Sequence, residues 1–172
     1  MTRQPTLRPS DLVVACQLAI APHEQFTILA ESTALSVGEC HNAVRRLRLA
    51  RLILADERRP SNEILCRFLI EGASFAFPPI VGAQTIGVPT AHSSPVFRAI
   101  VQSTQGFVWP YADGAVRGQS LIPLFPGAPA LSEWNQPLYE LLTIIDAVRV
   151  GTTRVRTLAA ELLRERLSDP KS

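Results

Sequence analysis

The chain has 172 residues, 47% hydrophobic and 19% charged, with a formal net charge of +2. That composition is ordinary for a globular protein and excludes wholesale disorder, and the length suffices to bury a core. The small net charge hides a distribution: Arg45, Arg46, Arg48, Arg51, Arg58 and Arg59 fall within twenty residues beside only Asp56 and Glu57. A local basic stripe of this kind is the footprint expected of phosphate binding.

No apolar run approaches the about 20 residues that a membrane-spanning helix needs, so no membrane partner is expected. Residues 1–10 carry Arg3 and Arg8 but no apolar core, so they do not read as a secretion signal. Cys16, Cys40 and Cys66 are odd in number and widely spaced, which fits neither a metal-binding pair nor a disulfide framework. Buried free thiols in a cytoplasmic protein are expected.

In chain order, residues 1–9 read as a flexible arm broken by Pro5 and Pro9. Ser10 is a candidate N-cap, followed by Asp11 in the first turn and by Leu12, Val13, Cys16, Leu18, Ala19 and Ile20 of an apolar helix. A second helix is expected from a cap at Thr27 through Ile28 to Thr33, with Ile28, Leu29 and Ala30 inward. Ser36 and Glu39 then spell S-x-x-E, a capping box that satisfies two orphan backbone donors at a helix start. Cys40, Ala43, Val44 and Leu47 follow at the spacing of one apolar stripe. Val37, Gly38, His41, Asn42, Arg45, Arg46 and Arg48 are thereby expected away from the core. Leu52 to Ala55 and Glu63 to Ile70 are rich in strand formers and flank the turn-forming run from Asp56 to Asn62, which predicts a β-hairpin with Arg58 and Arg59 at its tip.

The run Thr27-Ile-Leu-Ala-Glu, then Leu35-Ser36, Cys40-His-Asn-Ala-Val-Arg-Arg-Leu47 and Ala50-Arg-Leu-Ile53 resembles the pattern of bacterial winged helix-turn-helix regulators, the MarR-like group among them. The resemblance covers about residues 10–72. It implies a three-helix core with a two-stranded wing, the third helix reading the major groove of double-stranded DNA. Arg51 stands where such proteins usually carry a glycine, which puts a left-handed helix end in question. On this reading Ser36, Val37, Gly38, His41, Asn42, Arg45, Arg46, Arg48, Arg58 and Arg59 are the candidate DNA contacts. Asn42 suits adenine, Arg45 or Arg46 suits guanine, and His41 suits base edges or phosphate. Gly38 would admit a phosphate close to the backbone, Arg48 would meet phosphate, and Arg58 and Arg59 would meet backbone or minor groove.

Residues 73–135 hold eight of the fourteen prolines and six of the nine glycines, so extended segments and turns are expected there. Asp113-Gly114 between two β-prone runs predicts a hairpin with a type I′ turn. Pro137 suits the first turn of a helix running to Val150, nearly apolar all round; Gly151 ends it and Thr152 or Thr153 caps another. Such a helix needs cover from an oligomer interface or from the middle segment. The expected organisation is α+β: a winged helix-turn-helix at 1–72, a Pro/Gly-rich segment at 73–135 and a helical dimerisation region at 136–172.

Among enzymatic patterns, His92 beside Ser93 and Ser94 invites a nucleophile, but no carboxylate stands at a recognisable spacing to orient it. No phosphate-binding loop, zinc-protease or dinucleotide motif is present. The expectation is therefore a non-enzymatic, cytoplasmic, homodimeric DNA-binding regulator without cofactor or metal. The alternative is an antitoxin-like or accessory module that binds a protein partner through its middle and C-terminal segments.

Overall fold

The computed structural model describes residues 4–102 and 105–168. The first three residues of the expected arm and the last four of the C-terminal region lie outside them. The described residues form a mixed α and β fold of eight helices and one three-stranded sheet.

Helix α1 (Pro9–Ile20) starts on Pro9, whose missing N–H costs nothing at a first helical position. Arg8, not Ser10, is its N-cap, and the Asp11 carboxylate accepts the Arg8 backbone N–H at 2.8 Å. Helix α2 (Phe26–Thr33) begins one residue before the expected cap Thr27, and Gln25 takes the N-cap position. Leu29 and Ala30 are buried, whereas Ile28, expected inward, lies exposed. Helix α3 (Val37–Leu49) opens with the capping box read from the sequence: the Glu39 N–H donates to Ser36 Oγ at 3.2 Å, and the Ser36 N–H to Glu39 Oε2 at 2.8 Å. Cys40, Ala43, Val44 and Leu47 are buried, so the stripe packs as its spacing requires.

The expected hairpin is corrected. Leu52 to Ala55 contributes only a single bridge, Ile53 to Pro60, and Glu63 to Ile70 is not a strand. It lies within α4 (Asn62–Glu71), where Leu65, Cys66 and Leu69 make a buried face one helical turn long. A short apolar run has no periodicity that separates strand from helix, and here the i, i+4 pair of leucines decides. A four-residue turn, α5 (Ala73–Ala76), follows.

The middle segment builds a small closed sheet from β1 (Val81–Thr90), β2 (Phe107–Pro110) and β3 (Val116–Leu121). The second half of β1 pairs antiparallel with β2, from Gly87 opposite Pro110 to Thr90 opposite Phe107. Its first half pairs antiparallel with β3, from Val81 opposite Leu121 to Gly87 opposite Val116. The Asp113-Gly114 hairpin is therefore not formed: β2 and β3 run parallel where they meet, and no described glycine has positive φ. Instead, closing so few strands forces backbones together, and a Cβ on Gly87 would overlap the Trp109 carbonyl oxygen.

Helix α6 (Leu131–Trp134) leads into α7 (Gln136–Val150), capped by the Asn135 side chain on the Leu138 N–H at 3.3 Å, and then α8 (Thr153–Arg166). Every residue of α7 from Leu138 to Arg149, except the half-buried Glu140, is buried. The cover comes from the chain itself: α1, α4, α5, α6, α8, β1 and the 3₁₀ turn at Ala91–Ser93 all pack on it. One hydrophobic core draws residues from all three segments. At its centre, buried Asp146 accepts hydrogen bonds from Thr90 Oγ1 (2.8 Å), Trp109 Nε1 (2.6 Å) and Arg149 (2.7 Å). Arg149 also donates to the carbonyls of Phe77 and Pro78, so the polar cluster ties the sheet and its approach segment to α7. No helix among the described residues is long and apolar enough to cross a membrane.

Candidate nucleic-acid interface

The face of α3 turned from the core carries Val37, Gly38, His41, Asn42, Arg45 and Arg48, all exposed. The capping box sets where this face begins. Ser36 spends its hydroxyl on Glu39 (2.6 Å) and on the Glu39 N–H, so its side chain is held by the cap. Those Ser36 contacts hold the Glu39 carboxyl below its ordinary value, which keeps an anion at the positive helix end. A Cβ built on Gly38 would meet no atom within 4 Å, so the helix start is open to an incoming ligand.

Arg46 is corrected from an outward reading position. It follows Ala43 by three residues and so lies on the flank of the apolar stripe, turned toward α1. Its Nε and one terminal nitrogen grip both oxygens of Asp11, at 2.8 and 2.6 Å. Asp11 is fully buried and the Arg46 side chain partly so, 13% exposed. This fork-to-carboxylate pair fixes α3 on α1 and leaves Arg46 no reach into a groove.

The loop between Ile53 and Pro60 stands opposite α3. The His23 N–H donates to the Arg58 carbonyl at 2.9 Å, anchoring the loop to the α1–α2 connection. The Arg58 guanidinium lies 4.8 Å from the centre of the Phe26 ring, and His41 stacks on the same residue at 3.6 Å between centroids. Phe26 thus spaces the loop from the helix by cation–π and ring contacts. Between the walls is an open groove of about 970 Å³, lined on the helix side by His41, Asn42, Arg45 and Arg48 and on the loop side by Asp56, Glu57 and Arg58. Arg48 donates weakly to the Glu57 carbonyl at 3.4 Å, and Arg59 makes an exposed pair with Glu57 at 3.5 Å. Such exposed contacts hold little energy and release easily. Asn42 and Arg45 have no polar partner within the described residues.

The structure therefore gathers His41, Asn42, Arg45, Arg48 and Arg58 around one groove. Val37 and Gly38 lie at its helix start, and Arg59, exposed and paired with Glu57, does not line it. Arg46 is excluded. Sequence reasoning missed His23 and Phe26, which position the loop; neither stands in a periodic pattern that would have marked it.

In the His92 cluster the hydrogen bonds go to backbone groups, while His92 Nδ1 and Ser94 Oγ are buried without a partner among the described residues. His92 Nε2 bonds the Gln105 carbonyl at 2.9 Å, and Ser93 Oγ satisfies the Phe107 backbone and the Thr90 carbonyl. No group of metal-ligating side chains assembles among the described residues. Burial pushes the Cys16 thiol up to about 12, as for an inert core residue. Comparison of the chain with protein-family models, curated proteins and solved structures returned no match.

Proposed function

We propose that the chain is a sequence-specific, homodimeric DNA-binding regulator of the winged helix-turn-helix kind, with α3 as the helix that enters the major groove. The observation that carries the reading is the groove-side face of α3: an amide and two guanidinium groups, from Asn42 to Arg48, along a capped and packed helix. Asn42 and Arg45 are the base readers in this reading, because their side chains are committed to no partner. Arg48 and Arg58 contact phosphate, and the single bridge between Ile53 and Pro60 serves as a reduced wing. Repression follows if the operator overlaps a promoter.

The test is selection of bound fragments from the host's genomic DNA, followed by gel-shift titration of the enriched duplex. Arg45→Ala should weaken binding by about 1–3 kcal/mol and relax the sequence preference at one base pair. Arg48→Ala should weaken all sequences alike and flatten the salt dependence. No enrichment of any duplex, or affinity indifferent to salt, sinks the proposal.

A further inference from the structure

Strand β1 is longer than the body that supports it. Strand β3 pairs with it from Val81 to Gly87 and β2 from Gly87 to Thr90, so Gly87 alone is paired on both edges. Val81 to Gln84 are all exposed. On the β2 side the last contact is the Tyr111 N–H donating to the Ile86 carbonyl at 3.2 Å. Backbone direction alternates along a strand, so Gln84 turns its N–H and carbonyl to the same edge as Ile86. Among the described residues, no strand receives them there.

An unpaired edge is a template for another strand, and proteins blunt such edges with charge, proline or cover. This one carries neither charge nor proline over its open part, and its pairing with β3 shifts register between Val81 and Gln84. From Gly72 to Phe97 the chain has no Asp, Glu, Lys or Arg. Arg117, opposite Ile86, lies on the β3 side and not at the open edge. The surroundings are apolar: Ile80 is 64% exposed, and Val81, Ile86 and Ile122 between 42% and 48%. Ile80 and Ile122 are joined by a backbone hydrogen bond, so their side chains stand together at the strand's free end.

We infer that the open edge of β1 is where two copies of this chain pair, antiparallel and about a twofold axis. A second copy fits because an antiparallel edge is complementary to itself and meets the same groups it presents. It also fits by charge, since uncharged backbone and isoleucines meet their own kind and no ion is buried. The uncovered side chains offer on the order of 400 Å² per copy, about half of what a standard interface buries on each partner, and the paired backbone adds to it. The inference supplies the interface of the homodimer proposed above and rests on that reading for its purpose only; the pairing is tested without DNA.

Sedimentation of the full chain at micromolar concentration should show a dimer, and the Gln84 amide should exchange slowly with solvent, faster as the protein is diluted. Ile80→Lys with Gln84→Lys should give a monomer whose far-UV circular dichroism is unchanged. Dilution of the wild type provides the same readout should that variant fail to fold. A monomeric wild type, or a dimer in which Gln84 exchanges as freely as in a monomer, overturns the inference. So does a Gln84 amide protected only when another host protein is added, which would assign the edge to a foreign strand. Arg45→Ala separates the two proposals: it should weaken duplex binding and relax its sequence preference while leaving the dimer intact.

Discussion

At the two ends of α3 the residue types run against helix stability. Gly38, in its first turn, has open space where a side chain would be, so nothing in the fold requires a glycine there. At the other end Arg51 adopts φ 60°, the left-handed region that costs an L-residue about 1–2 kcal/mol. The helix end is nevertheless a complete Schellman motif, with the Leu52 N–H on the Leu47 carbonyl (2.9 Å) and the Arg51 N–H on that of Arg48 (3.0 Å). The glycine missing at this position therefore leaves the geometry intact and shifts the cost onto Arg51. Gly38→Ala should stabilise the protein by about 0.5–1 kcal/mol in urea unfolding. The same change should weaken duplex binding, because the added methyl stands where a phosphate would approach. Arg51→Gly should also gain about 0.5–1 kcal/mol, since relief of the left-handed strain exceeds the glycine's greater loss of chain entropy. Unchanged stability in both would mean that neither end is strained as described.

The element that the sequence made most legible is α3, since its cap and stripe are local signals that depend on neighbours three or four residues away. Its cap has a pH signature. Glu39 titrates below its ordinary value of 4.5 because Ser36 donates to it from side chain and backbone. A depressed folded-state pKa contributes stability that is present above the unfolded value and lost as pH falls through the folded one. The stability difference between wild type and Glu39→Ala should thus be constant near neutral pH and shrink on acidification below 4.5, as followed by urea titration. A difference that stays level into acid would show that the carboxylate does not act through its charge. Elements whose identity depends on distant partners were not legible. Glu63 to Ile70 has strand-forming residues, but burial of Leu65 and Leu69 against the body makes it helical. Asp113-Gly114 has the letters of a hairpin turn, yet β2 and β3 each pair with β1, further upstream, rather than as a hairpin with one another. Arg46 belongs with these, because only the fold brings Asp11, 35 positions away, within its reach.

On the scale of the whole molecule, α7 is the axis on which the other parts are mounted. Its apolar surface suggested an interface, but its own chain covers it, so that surface gives no reason to invoke a partner. What the sequence could not announce is the polar joint inside that cover. Asp146 holds one side chain from β1 and one from β2, and Arg149 holds two carbonyls of the segment leading into β1. Burial pushes the Asp146 carboxyl above the usual range, while the Arg149 charge and the Thr90 and Trp109 donors pull against it. Removing Arg149 leaves a carboxylate buried without its cation, and breaking a buried pair in this way costs about 3–5 kcal/mol. Arg149→Met should therefore lose about that much stability at neutral pH, enough to threaten folding of a domain this size. The sign of its pH dependence follows from the raised folded-state pKa. Such a group takes up its proton more readily folded than unfolded, so stability is lost as pH rises through the folded value and regained as pH falls. Loss of the arginine raises that value further, so the variant should recover part of its deficit on mild acidification, where wild type gains less. Thermal melts of both proteins across that range decide the matter: parallel curves would mean that Arg149 serves the carbonyls of Phe77 and Pro78 alone, and that the charge of Asp146 is neutralised by other means.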